Sequence, residues 1–221
     1  MKSFKSKIIA LSACLFITFT FAAEPPNENS NFEAGIAAYQ ANNLPLAYKE
    51  FLAAAKKGHA ESQFNVALMY EKGIGVGKDE KEAVVWYGKA AAQGNAAAQY
   101  NLGVLYENGR GTATDFAKAN EWYRKASAQG DALAIGNLGM LYVRGQGVKE
   151  NKVAGAALLL VSAIKDPSPE NNAKRNLAGT RGLSSKMATE IQALSSELSS
   201  AKNLLVPLDQ YLKKTESDPT K

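Results

Sequence analysis

Shifted by 36 positions, the chain falls on itself. Gly58, Gly94 and Gly130 coincide, as do Asn65, Asn101 and Asn137, and Tyr70, Tyr106 and Tyr142; the match runs on through Gly73/Gly109/Gly145 and Gly75/Gly111/Gly147. Between the blocks opening at Gly58 and Gly94, 16 of 36 positions are identical, including Trp86/Trp122, Tyr87/Tyr123, Lys89/Lys125 and Ala90/Ala126, which excludes coincidence. A unit this short cannot bury enough apolar surface alone, so its copies must stack.

Each block carries the punctuation of two helices. Gly73 and its equivalents suit the left-handed residue that ends a first helix, and Asp79, Asp115 and Asn151 suit the N-cap of a second, with Glu82 placed to complete a capping box on Asp79. The glycine between blocks closes the second helix, and His59, Asn95 and Asp131 follow at the next cap position. Ala67, Gly103 and Gly139 are small enough for close helix approach. The expected fold is all-α: an α/α solenoid, a right-handed superhelix of tandem helix-loop-helix repeats.

The run Ala-x-x-Gln-Tyr-Asn-Leu-Gly-x-Leu-Tyr-x-x-Gly-x-Gly from Ala96 to Gly111, followed by Ala119, Trp122, Tyr123, Lys125 and Ala126, resembles the Sel1-like repeat, a relative of the tetratricopeptide repeats. The likeness extends over about residues 32–164 and implies adaptor or scaffold work by analogy. It divides the chain into an N-terminal tetratricopeptide-like unit at 32–57, three repeats at 58–93, 94–129 and 130–165, and a degenerate fourth unit with a helical cap at 166–214. Gly35, Tyr39, Ala47, Phe51, Ala54 and Ala55 mark the first of these, with a shortened loop. The stretch Ala156 to Ile164 is apolar almost all round and demands a cover, which the segment after Pro167 and Pro169 is placed to provide. Asn176-Leu177-Ala178, Met187 to Leu198, and Leu204 to Leu212 with Pro207 near its start supply further helices; residues 24–31 and 215–221 read as tails.

Lys2, Lys5 and Lys7 ahead of the apolar run Ile8 to Ala23, with Ala22 and Ala23 before Glu24-Pro25-Pro26, read as an export leader over 1–22. The run is too short for a membrane-spanning helix, so the mature chain is expected to be soluble, without a transmembrane anchor, and periplasmic or secreted. Leu11-Ser12-Ala13-Cys14 resembles a lipobox, but acylation there leaves the apolar Leu15 to Phe21 at the new N-terminus, where a polar spacer is usual. Cys14 is the one cysteine, so the mature chain has no thiol for a disulfide, a metal or nucleophilic catalysis. Three of the 26 basic residues fall in the leader, leaving 23 against 21 acidic ones; a balance so close to neutral argues against nucleic acid as the partner.

No catalytic grouping emerges, and neither a cofactor nor a metal is expected. Gly73-Ile74-Gly75-Val76-Gly77-Lys78 imitates a phosphate loop, yet it recurs in both later repeats without its lysine and no strand precedes it, so it reads as a helix connector. Ser199-Ser200-Ala201-Lys202 has the letters of a lysine-activated serine without the Ser-Asp-Asn or Lys-Thr-Gly elements that accompany it. His59 is the sole histidine, which removes His-based triads and two-histidine zinc sites. Glu71 and Glu107 occupy equivalent positions expected to be solvated, and Asn65, Asn101 and Asn137 suit structural bonds between units better than ligand contacts.

Related tetratricopeptide arrays line a concave face with their first helices. The outward stripe here gives three rows: Glu61, Phe64, Leu68, Glu71; Ala97, Tyr100, Val104, Glu107; and Leu133, Gly136, Met140, Val143, with Lys72, Asn108 and Arg144 at the edge. Apolar centres with a polar rim suit a protein or peptide partner, with cell-wall material as another occupant, although the same side chains also suit the packing of a tight superhelix closed by its caps. The expected function is an exported, non-catalytic scaffold of the bacterial envelope. A lactam-binding or hydrolytic cell-wall protein and a secreted effector are the alternatives.

Overall fold

The computed structural model describes residues 29–217; the leader read over 1–22, with Cys14, and residues 218–221 lie outside the described residues. The regular elements among the described residues are helices: α1 (Ser30–Gln40), α2 (Leu44–Lys56), α3 (Ala60–Lys72), α4 (Glu80–Ala92), α5 (Ala96–Asn108), α6 (Phe116–Ala128), α7 (Ala132–Arg144), α8 (Lys152–Lys165), α9 (Ala173–Gly179), α10 (Ser185–Ser200) and α11 (Leu205–Glu216). From α1 to α9 each helix packs on the next in sequence, the arrangement of an α/α solenoid. None of the described helices is long and apolar enough to cross a membrane.

The repeat's punctuation works as its residue types require. Gly73, Gly109 and Gly145 end α3, α5 and α7 at φ of 67°, 64° and 65°, a region that costs any residue with a Cβ. Asp79, Asp115 and Asn151 cap α4, α6 and α8 by accepting backbone N–H bonds, while His59, Asn95 and Asp131 do the same for α3, α5 and α7. The capping box on Asp79 is only half built. Asp79 accepts from the Glu82 N–H at 3.1 Å, but the Asp79 N–H is already spent on the Tyr70 carbonyl at 2.9 Å, leaving no donor for the Glu82 carboxylate.

Two kinds of close approach hold the stack. Inside a unit, a Cβ on Gly103 would fall 2.6 Å from the Tyr123 ring, which lies flush on the glycine, and one on Gly139 2.8 Å from the Gly155 carbonyl oxygen, where α7 and α8 pack at backbone distance. Between units, the second loop glycine seats on the start of the preceding unit's second helix. A Cβ on Gly75 would lie 2.2 Å from the Leu44 carbonyl oxygen, one on Gly111 2.1 Å from that of Glu80, and one on Gly147 2.4 Å from the Phe116 carbonyl carbon.

The ends are more ordered than the sequence suggests. Asn31, read as part of a tail, lies in α1, donating to Glu50 at 2.8 Å and accepting from Lys57 at 2.7 Å. Thr215, likewise read as tail, is inside α11. The apolar α8 is covered except at Ile164, which is 65% exposed: Ala173 and Leu177 of α9 lie on Leu159 and Ala163, while Ile191, Leu194 and Leu198 of α10 share a core with Val153, Ala157 and Val161. α9 has only seven residues, and α10 packs directly on α8, so these two helices close the array from two sides.

Candidate interaction surface

The three rows on α3, α5 and α7 differ in accessibility. Glu61 and Ala97 are exposed, Phe64, Tyr100, Val104 and Glu107 are half-buried, and Leu68 and Glu71 are buried. Phe64 rests on the Tyr87 ring at a centroid distance of 5.7 Å and Tyr100 on the Tyr123 ring at 6.1 Å, so one face of each aromatic is committed to packing. In the third row Leu133 is half-buried and Arg144 exposed, but Gly136 is buried against Ser162, and Met140 and Val143 pack on the cluster of Leu159, Ala163 and Ala173. The seal made by α9 thus takes up the apolar centre of that row. The accessible part runs over the first two rows.

Glu71 and Glu107 are not the solvated residues expected from their spacing. Glu71 accepts from the Tyr87 hydroxyl at 2.8 Å and Glu107 from the Tyr123 hydroxyl at 2.6 Å, so each carboxylate satisfies a buried phenol of its unit's second helix. The amide of Asn137 donates to the Tyr123 oxygen at 3.1 Å, and Asn101 occupies the corresponding position beside Tyr87. Glu107, Tyr123 and Asn137 therefore form a relay across the boundary between the second and third repeats, with Glu71, Tyr87 and Asn101 at the equivalent positions one repeat earlier, while Asn65 follows Phe51, which has no hydroxyl to offer. At the third boundary the positions are Val143, Leu159 and Ala173, and they meet in one apolar cluster. All three polar partners are absent together, so none is left buried alone.

A second ladder escaped the sequence reading. Gln63 donates to the Ala55 carbonyl and Gln99 to that of Ala91, each at 3.1 Å, while Gln93 donates to Gln63 at 2.7 Å and Gln129 to Gln99 at 2.9 Å. The signal was present as two glutamine pairs repeating at 36; the third unit has Ile135 and Lys165 instead.

Glu71 also receives the Arg110 guanidinium and the Lys72 ammonium, each at 3.1 Å, and Arg110 reaches Glu80 at 2.7 Å. Burial works to raise the Glu71 pKa, but hydrogen bonds from Tyr87, Lys72 and Arg110 outweigh it and hold the carboxyl below its usual range. A depressed pKa contributes stability above the unfolded value of about 4.3 and loses it as pH falls through the folded value. Glu71→Gln is accordingly expected to lower stability by about 1–3 kcal/mol at pH 7, with the gap to wild type narrowing below about pH 4. Urea titrations at the two pH values check this, and a constant gap would remove the charge from the account.

The enzyme-like motifs lose their geometry. In the loop from Gly73 to Lys78, the Ile74 N–H is turned back to the Met69 carbonyl at 2.9 Å, and Lys78 pairs with Glu80 at 3.0 Å; this is a helix connector. α10 ends at Ser200 and Ala201 is extended, so Ser199 and Lys202 do not share a helical turn. His59 caps α3 through Nδ1, 3.2 Å from the Ser62 N–H.

One feature had no counterpart in the rows. A cleft of about 540 Å³ opens between the start of α8, the start of α10 and the end of α11, with Val148, Val153, Met187, Tyr211 and Leu212 among its walls. It depends on the fold-back of the last helix, which no local pattern announces.

A family model described as the Sel1 repeat matches residues 60–95, 96–131 and 132–165, two residues on from the blocks counted from the glycines. Among solved structures the chain is similar to the Sel1 repeat protein from Oxalobacter formigenes, at 30% identity and a TM-score of 0.63 over 79% of this chain and 76% of that one. It is also similar to c5321, a protective antigen present in uropathogenic Escherichia coli strains and displaying an SLR fold, at 27% identity and a TM-score of 0.60 over 86% of this chain and 46% of that one. No curated protein matches it in sequence. Two-helix units, capped and glycine-seated as their sequence requires, thus place this chain in the Sel1 repeat family, whose helical arrays are scaffolds that typically mediate protein–protein interactions.

Proposed function

We propose that the chain is an exported, non-catalytic scaffold of the bacterial envelope that holds a protein or peptide segment against the first helices of its repeats. The leader at 1–22 supports export. The observation that carries the binding reading is the pair of rows on α3 and α5, where exposed Glu61 and Ala97 border the half-buried Phe64, Tyr100 and Val104. Two rows suffice for a short segment, and the caps confine it to this part of the array.

Truncating Phe64 or Tyr100 damages the packing on Tyr87 and Tyr123, so crosslinking is the better test than alanine scanning. With Cys14 in the leader, a mature chain carrying Ala97→Cys has a single thiol for a photoreactive label, and Val85→Cys on the exposed side of α4 is its control. The expected result in an envelope fraction is a discrete protein adduct from Ala97→Cys and none of that mass from Val85→Cys. Equal labelling from both positions would sink the assignment of the surface; an adduct with cell-wall glycan in place of protein would change the class of ligand.

A further inference from the structure

We propose that the seat of α11 is an exchangeable helix-binding site, occupied by the chain's own α11 in the monomer and by α11 of a second copy in a two-fold exchanged dimer. This surface lies apart from the rows on α3 and α5, and the inference does not rest on them.

α11 is held far more lightly than the helices it covers. Leu208 is its one fully buried side chain, with Leu204 buried just before it, whereas α8 buries ten residues. Leu205, Tyr211 and Leu212 pack on the same core half-buried, and the Tyr211 hydroxyl donates to Glu190 at 3.3 Å. One guanidinium nitrogen of Arg124, 85 positions back on α6, donates to both Asp209 carboxylate oxygens at 2.6 and 2.7 Å, and the Asn151 amide reaches Thr215 at 3.4 Å. Tyr211, Leu212 and Thr215 on the outer half of the helix form one wall of the 540 Å³ cleft, whose other walls are the start of α8 and the start of α10. A helix with one buried leucine, three half-buried apolar side chains and one charge pair, against ten buried residues in α8, opens at a fraction of the global unfolding free energy.

The seat specifies its occupant. It requires an apolar side chain at the place of Leu208 and a carboxylate on the next residue to meet Arg124, which is the chemistry of α11. The first repeat has Gly88 where the second has Arg124, so its second helix offers no matching cation. An extended Ala201 and the short segment to Leu204 form the hinge. Exchange through it fills both seats with the same contacts and leaves neither Arg124 unpaired, a closed isologous arrangement. A short tether gives the cis helix an effective concentration of order millimolar, which keeps wild type monomeric at micromolar concentration.

Charge reversal separates cis from trans docking in the full chain. Arg124→Asp places two carboxylates together, and Asp209→Arg two guanidinium groups, so each variant loses cis docking. Mixed together, the two chains restore opposite charges only by exchanging helices. Mixing is expected to give a species of dimer mass, by light scattering on a sizing column, at concentrations about a hundredfold below any at which wild type dimerises. The doubly reversed chain, Arg124→Asp with Asp209→Arg, restores the pair in cis and is expected to be monomeric. A mixture that stays at monomer mass while the doubly reversed chain keeps its helical circular dichroism overturns the proposal. Should either single variant fail to fold, hydrogen exchange on wild type decides: amides of α11 are expected to exchange at least about tenfold faster than those of α10 around Leu194, and equal protection overturns the lightly held strap.

Discussion

Gly111→Ala is expected to destabilise the array by about 3 kcal/mol or more, whereas Gly94→Ala costs about 1 kcal/mol. Both glycines have positive φ, 68° and 91°, so both substitutions meet the same backbone penalty. They differ in surroundings. A Cβ on Gly94 meets nothing within 4 Å, but one on Gly111 falls 2.1 Å from the Glu80 carbonyl oxygen and 2.9 Å from the Lys81 nitrogen. Main chain cannot swing aside as a long side chain does, so the second repeat must withdraw from the first. That movement also strains Arg110, the neighbouring residue, which pairs with Glu71 and Glu80. Urea midpoints of the two variants measure the difference. If they agree within about 0.5 kcal/mol, the glycine seat contributes no more than its own conformation.

Replacing both members of the first relay is expected to cost less than the two single losses added together. Glu71→Val leaves the Tyr87 hydroxyl without its acceptor and Arg110 with Glu80 alone, at a cost of about 2–4 kcal/mol. Tyr87→Leu removes the phenol and opens space beside Gly75's unit, while Glu71 keeps Arg110 and Lys72, for about 3 kcal/mol. The double variant reproduces Val143 and Leu159 of the third repeat, where the chain itself has made both changes. Its loss should fall short of the sum of the single losses by about 1–3 kcal/mol. Denaturant titration of the four proteins completes the cycle, and simple additivity would show that the Glu71 to Tyr87 bond at 2.8 Å stabilises nothing beyond its separate parts.

What was legible in the sequence was whatever recurs within one unit. The caps at Asp79, Asp115 and Asn151 and the left-handed ends at Gly73, Gly109 and Gly145 depend on a few neighbouring residues, and a repeat prints them three times. The candidate surface was legible in outline only. Helical spacing gives the direction of Glu71 and Leu68 on α3 but not what arrives opposite them, and Arg110 comes from the next unit's loop to cover Glu71. The third row was misjudged for the same reason, since α9 reaches Met140 and Val143 through a segment too short and irregular to declare a repeat. Farthest from sequence was Arg124 to Asp209, where two unremarkable charges on separate surface helices are joined by a fold-back.

The change from polar relay to apolar cluster fixes where the array can grow. Between the first and second repeats, every connector has its counterpart on both sides: Gln93 and Gln129, Tyr87 and Tyr123, Gly75 and Gly111. A duplicated 36-residue block inserted after Gln93 therefore meets matching hydrogen-bond partners above and below. After Lys165 it meets Leu159 in place of a tyrosine, and a newcomer's asparagine would face hydrocarbon there. The chain thus has an internal site for lengthening and a terminus that refuses it, so that descent by duplication can change the span of the scaffold without disturbing its end.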